Sequence, residues 1–301
     1  MKKLILIIIF LVPIYISSFK VKETTFFNND IISKVISKTN KNNKTVIVHV
    51  KDKDLYLDLE DYVTGVVAAE MPALFDEEAL KAQAVASRSY AMSSVMNHII
   101  TISSSISDQV YKTNYELSDN WQGNYDKYFK KIQEAVRETE NLVIKRDNKI
   151  LRTYYFSMSN GYTENSLAVF NENTFESVSS SLEQKLSNYL KTVTFTKGEL
   201  CKLLKLDDIN IQNIKRNETN HVDKIIINNK EFTGVEFRKL LNLRSTDFEI
   251  EEENGEYIIA TKGYGHGVGM SQYGANEMAK TGKKYEEILN HYYKNTEIKK
   301  I

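Results

Sequence analysis

Two stretches far apart in the chain concentrate the residue types that do chemistry. The first, VVAAEMPALF (66–75), sets Glu70 two positions before Pro72 in an otherwise apolar patch. Pro13 is the other proline, so Pro72 stands alone beyond the N-terminal apolar run. A residue before proline is driven out of the α region. That predicts an extended Met71 and a helix through Val66–Ala69 that ends near Glu70. The last turn of a helix carries partial negative charge and disfavours a carboxylate. The neighbours Val66, Val67, Met71, Leu74 and Phe75 push the same way by desolvation. Both effects favour the protonated form, and an acid that keeps its proton near neutral pH is what general-acid catalysis needs. The competing reading is a solvated helix-end residue or a salt-bridge partner, with Arg88 as one choice.

The second stretch, KGYGHGVGMSQYGA (262–275), places glycine at 263, 265, 267 and 269 around His266. Such a segment tolerates φ > 0 and brings backbone close to a ligand or to another chain segment. A helix is expected to begin near Met270 or Ser271, with free N–H groups toward the loop. The pattern is neither G-x-x-x-x-G-K-[ST] nor G-x-G-x-x-G, since Val268 stands where the third glycine would be. The five histidines (49, 98, 221, 266, 291) show no short metal spacing, and neither a metal nor another cofactor is expected. Cys201 is the single cysteine. With Leu200, Leu203 and Leu204 it reads as the buried face of a short helix rather than a reactive thiol.

The elements that must position these residues read as mixed α+β. Residues 45–52 alternate as a strand, with 53–59 as its hairpin partner. Residues 60–71 and 76–98 read as helices, the second N-capped by Asp76 and carrying a narrow, Ala-rich face. Residues 101–125 are polar with weak periodicity. Residues 126–143 are an amphipathic helix, and 149–164 a strand running into a turn. Residues 183–206 read as helical. Residues 221–243 give a strand, an Asn-Asn turn, a short strand and a helix, and 247–265 a hairpin around Asn254-Gly255. Helices are expected around 271–281 and 284–293. There is no βαβα alternation, so the fold class is α+β: a single mixed domain with antiparallel hairpins and several helices.

Composition bounds the rest. The chain has 301 residues, 42% apolar and 27% charged, with a formal net charge of zero. That is the globular range, and it offers no basic face for nucleic acid. At the N-terminus Lys2 and Lys3 precede an apolar run from Leu4 to about Phe19, which reads as a membrane anchor over residues 1–20 with the remainder outside the cytoplasm. A cleaved signal peptide is the rival reading. Residues 21–43 are Asn- and Lys-rich and read as a polar linker.

These stretches together resemble the stage II sporulation protein D family, the SpoIID/LytB domain. DYVTGVVAAEMPALFDEEALKAQAVASRSYAM is similar to its first motif and YYFSMSNGYTE to its central one. GVEFRKLL, STDF and GYGHGVGMSQYGANEMAKTGKKYEEILNHYY are similar to its C-terminal portion. The resemblance spans residues 44–297, in order. It implies a peptidoglycan lytic transglycosylase that forms 1,6-anhydro-MurNAc ends during engulfment in sporulation. Its place would be the mother-cell membrane facing the intermembrane space, beside a SpoIIP-type amidase and a SpoIIM-type membrane protein. Carried over residue by residue, Glu70 is the catalytic acid. Arg88, Tyr155, Ser159, Thr163, His266, Ser271 and Gln272 line the substrate groove. Arg88 is open between holding Glu70, binding substrate and a structural ion pair. Two departures stand out. Ser159-Asn160-Gly161 replaces the family's Ser-Gly-Gly, a change that an Asn at positive φ would absorb. The middle insertion lacks the Cys/His cluster that holds zinc in some relatives. The non-catalytic alternative is a wall-binding scaffold or an amidase enhancer.

Overall fold

The computed structural model describes residues 46–96 and 98–301. The expected anchor and linker (1–43) lie outside the described residues. Among those residues no helix is long and apolar enough to cross a membrane.

Two hydrophobic cores organise the chain. The larger is built on helix α2 (Glu77–Met92), whose residues from Ala79 onward are all buried. Its small side chains (Ala79, Ala82, Ala84, Ala86 and Ala91) let neighbours approach closely. Asp76 caps it by accepting from the Glu78 N–H at 3.0 Å, as the sequence indicates. Helix α1 (Leu59–Glu70) packs against it, capped by Asp58. A sheet of β1 (Ile47–Val50), β2 (Leu55–Asp58) and β3 (Ile99–Ile102) adjoins them. β1 pairs antiparallel to β2 and parallel to β3. Helices α3 (Asn114–Trp121) and α4 (Tyr125–Glu138) follow, then strands β4 (Leu142–Arg146) and β5 (Lys149–Ile150). The strand expected over 149–164 is reduced to β5 and to β6 (Tyr155–Phe156), and a short helix α5 (Ser166–Phe170) follows.

The smaller core belongs to residues 190–262. Strands β7 (Leu190–Thr196), β8 (Ile211–Arg216), β9 (Val222–Ile227), β10 (Lys230–Thr233), β11 (Phe248–Glu253) and β12 (Glu256–Lys262) form two antiparallel sheets. Helices α6 (Lys197–Leu204) and α7 (Gly234–Leu241) pack on them, each opened by a Thr/Glu capping box. Phe237 and Phe248 stack at 5.0 Å in this core, and burying each contributes about 2–3 kcal/mol. The helix expected over 183–206 is corrected: residues 182–185 make a single 3-10 turn, β7 follows, and the helix starts only at Lys197. The Asn228-Asn229 and Asn254-Gly255 hairpins form with positive φ at both turn residues.

The chain then returns to the larger core through β13 (Met270–Ser271), α8 (Gln272–Lys280), α9 (Tyr285–Tyr292) and β14 (Glu297–Lys300). β13 pairs parallel to β6, Met270 opposite Tyr155 and Ser271 opposite Phe156. This short pairing joins the central motif to the C-terminal one.

A polar junction joins the two lobes. The Asn160 amide donates to Thr219 O at 2.7 Å and to Asp247 Oδ2 at 2.8 Å. Gly161 takes the positive φ of the turn (124°), whereas Asn160 does not. The Asn substitution therefore acts through its side chain, not through backbone permissiveness as expected. Beside it, buried Glu164 accepts from Asn217 Nδ2 at 2.7 Å and from the Thr219 hydroxyl. His221 Nε2 lies 3.7 Å from Glu164. Burial, reinforced by Asp247, pushes the Glu164 carboxyl up to about 7.

Candidate active site

Glu70 is the last residue of α1, and Met71 beyond it is extended at φ −115°, ψ 142°. The turn Met71–Asp76 is held from both sides. Phe75 N–H donates to Pro72 O at 2.9 Å, and Lys131 on α4 donates to Ala73 O at 3.1 Å and to Phe75 O. From α8, Asn276 Oδ1 accepts from the Asp76 N–H at 2.8 Å. Phe75 meets Tyr273 edge-on at 4.9 Å. Glu70 is thus fixed at a rigid helix end, with its side chain half-buried.

The segment that reads as featureless in sequence lies against this acid. Val110 N–H donates to Glu70 Oε1 at 2.9 Å. The segment can approach because α1 carries Gly65, where a Cβ would come within 2.2 Å of the Tyr111 ring. Buried Gln109 accepts from Tyr62 OH at 3.2 Å and donates to Tyr155 OH at 2.8 Å. The Gln272 amide, whose Nε2 donates to Gln83 Oε1 at 3.4 Å, lies beside Glu70 and favours its charged form. Burial raises the Glu70 pKa above the ordinary value, opposed by the Val110 hydrogen bond and by Gln272. The Glu70 charge in turn adds to the burial that raises the Tyr155 phenol, which stays protonated at neutral pH. Glu70, Tyr155 and Gln272 therefore converge, with Gln109 and Val110 completing the group. A main-chain donor leaves no mark in a sequence, and Gln109 sits in a stretch without periodicity.

The other expected site residues lie elsewhere. Arg88 is fully buried and grips Glu60 with Nε at 2.8 Å and Nη2 at 2.5 Å. Nη1 also donates to Leu142 O and Nη2 to Val136 O. Its guanidinium is a structural tie between α1, α2, α4 and β4, with no exposed face for substrate. Ser159 and Ser271 come together, but around Glu183: their hydroxyls donate to Glu183 Oε1 at 2.6 and 2.8 Å, joined by Ser180 at 2.9 Å. Ser271 also caps α8, accepting from Gly274 N–H at 3.1 Å. Thr163 is buried, its Oγ1 accepting from Val178 N–H at 2.9 Å. His266 is wedged among Tyr154, Phe156 and Phe170, and its Nδ1 accepts from Val268 N–H at 3.0 Å. Burial, with Arg238 nearby, pushes it down to about 4, so it is neutral at physiological pH.

The glycine loop serves packing between chain segments. All four glycines have positive φ, and a Cβ on Gly269 would sit 2.0 Å from Tyr154 O. The loop backbone bonds residues 154–164 through Met158–Tyr264 and Glu164–Gly267 pairs. A cavity of about 240 Å³ lined by Ser180, Leu182, Glu183, Met278 and His291 does not include Glu70. Among the described residues no three His, Cys, Asp or Glu side chains converge as metal ligands.

The chain is similar to several known proteins. A family model for stage II sporulation protein matches residues 52–145, the span that holds Glu70 and Val110. A model for a domain of unknown function (DUF8618) matches residues 115–269. Stage II sporulation protein D of Bacillus subtilis (strain 168) is 40% identical over 253 residues, 80% of this chain and 74% of that protein. An uncharacterized protein of Brachyspira hyodysenteriae is 30% identical over 264 residues, 80% of this chain and 67% of that one. An amidase enhancer of Bacillus subtilis is 25% identical over 294 residues, covering 78% of this chain and 40% of that protein.

Proposed function

We propose, on the footing that this chain belongs to the stage II sporulation protein D family, that it is a peptidoglycan lytic transglycosylase with Glu70 as its acid. The observation that carries the reading is the environment of that carboxyl. Burial favours its protonated form, while the Val110 N–H, with Gln272 beside it, favours the carboxylate once the proton leaves. An acid poised between these opposing influences can give a proton and take one back.

Protonated Glu70 would donate to the oxygen linking MurNAc to the next GlcNAc, and the C1–O bond breaks. The resulting carboxylate would take the proton of the MurNAc C6 hydroxyl as that oxygen bonds to C1. The products are a GlcNAc with a free hydroxyl and a 1,6-anhydro-MurNAc end, with no water consumed. Glycosidases commonly place two carboxylates across the bond; here one carboxylate serves both half-reactions in turn.

In this reading residues 1–20 hold the chain in the mother-cell membrane and the catalytic lobes face the intermembrane space. A SpoIIP-type amidase and a SpoIIM-type membrane protein are the expected partners there. The test is digestion of purified glycan strands by the full chain in detergent. Products lighter by one water than hydrolysis products support the reading, and intact strands or hydrolytic ends overturn it. The relative named an amidase enhancer supports the second reading, in which the chain binds wall and acts through a partner. Strand binding without cleavage would select it.

A further inference from the structure

Arg152 lies between β5 and β6, and its side chain is 48% exposed. Its guanidinium carbon sits 4.7 Å from the Tyr90 ring centre and 5.8 Å from that of Tyr154. Nη2 donates to Tyr90 OH at 2.6 Å. Asp108 forms an ion pair with it at 3.8 Å, longer than a hydrogen bond. Nε–H and Nη1–H have no protein hydrogen-bond acceptor among the described residues. The contrast with Arg88, each of whose three nitrogens donates inside the fold, is plain.

The location follows from three consecutive residues. Asp108 faces Arg152, Gln109 bonds Tyr155, and Val110 bonds Glu70. The backbone from 108 to 110 spans at most about 7 Å. Arg152 is therefore connected to the Glu70 site through a single three-residue segment. Two aromatic faces fix the plane of its fork, so a two-pronged bond to a carboxylate costs little further ordering.

We infer that Arg152 binds a free carboxylate on the saccharide beside the scissile bond. In peptidoglycan that group is the lactyl carboxylate of a MurNAc lacking its stem peptide. This rests on the glycan-cleaving reading above and adds to it a residue that selects the strand. A guanidinium fork matches a carboxylate in both charge and geometry. Once the lactyl group is joined to a peptide it is a neutral amide, and the pairing is lost.

The test measures kcat/KM of the full chain on three strands: denuded, denuded with the lactyl groups amidated, and peptide-bearing. Wild type should favour the denuded strand over the amidated one by about 10- to 100-fold, the range for a hydrogen bond to a charged group. Arg152→Gln should cut the denuded strand more slowly by that factor and no longer separate it from the amidated one. Arg152→Lys should keep part of the preference, and supplies the result if the Gln variant does not fold. Equal losses on both strands, or a preference that survives in Arg152→Gln, would overturn the assignment. A wild-type preference for peptide-bearing strands would overturn it too, since the peptide's own carboxylates would then be the ligand. If wild type cuts none of the strands, the cleavage reading fails separately. Calorimetric binding of the same strands to wild type and Arg152→Gln then decides whether the anchor stands.

Discussion

Glu70 and Glu183 are both held by hydrogen bonds in the same lobe, and they are built for opposite ends. Glu183 is fully buried, with Ser159, Ser180 and Ser271 hydroxyls and the Ser159 N–H all directed at Oε1. Its Oε2 has no hydrogen-bond partner among the described residues. Glu70 is half-buried and accepts from one main-chain N–H, with the Gln272 amide beside it. An acid surrounded by donors and shut off from solvent organises structure. An acid with few donors and an open face can exchange a proton. Burial alone does not separate the two; access does.

The sharpest way to break this contrast is Glu70→Gln. Glycan cleavage should fall roughly 100- to 10,000-fold, the range for a lost general acid, with the melting transition unchanged. Substantial activity in that variant would erase the distinction. Glu183→Ala should do the reverse and cost about 2–4 kcal/mol in urea unfolding, because it strands several buried donors. Glu183→Gln, which keeps an acceptor at the Oε1 position, should cost less. Activity should then follow the folded fraction.

Glu164 sharpens the contrast with a third buried acid, at the lobe junction. Its native pKa of about 7 lies above the ordinary 4.5, so the native state holds the proton more tightly. The stability this provides is present below about pH 4.5 and is lost as pH rises through about 7. Between these limits the unfolding free energy should drop by about 1–3 kcal/mol in wild type and much less in Glu164→Gln, read by thermal melts across pH. Gln272→Ala gives the smallest effect. Without that donor the Glu70 pKa rises further. The cleavage rate, which falls as Glu70 loses its proton, should therefore hold out to higher pH. A limb moving to lower pH would show that Gln272 does not act on the acid.

What was legible in the sequence was mostly local. Pro72 ends α1 by steric exclusion one residue upstream, and the Asn-Gly and Asn-Asn turns announce their hairpins. Asp76 and Ser271 mark their helix starts by their own side chains. What depended on distant partners was missed. β3 exists because β1 offers it a parallel edge. Val110 matters through its N–H, which every residue but proline carries. Leu190–Thr196 looks helical until β12 pairs with it. Ser159 and Ser271 carry the resemblance strongly, yet they meet at a glutamate that no motif pointed to. Arg88 stays open among three roles in the sequence because its partner, Glu60, lies 28 positions away on another helix.

The two-residue pairing of β6 with β13 has a consequence for how the protein comes into being. It ties position 155 to position 270, and Gln272 follows immediately. A chain growing from its N-terminus carries Glu70 for some two hundred residues of synthesis before the amide that completes its surroundings exists. The acid is therefore assembled last, by a late long-range closure rather than by its own helix. A half-made or C-terminally clipped chain would carry the acid without its setting, a built-in delay before that carboxyl is complete.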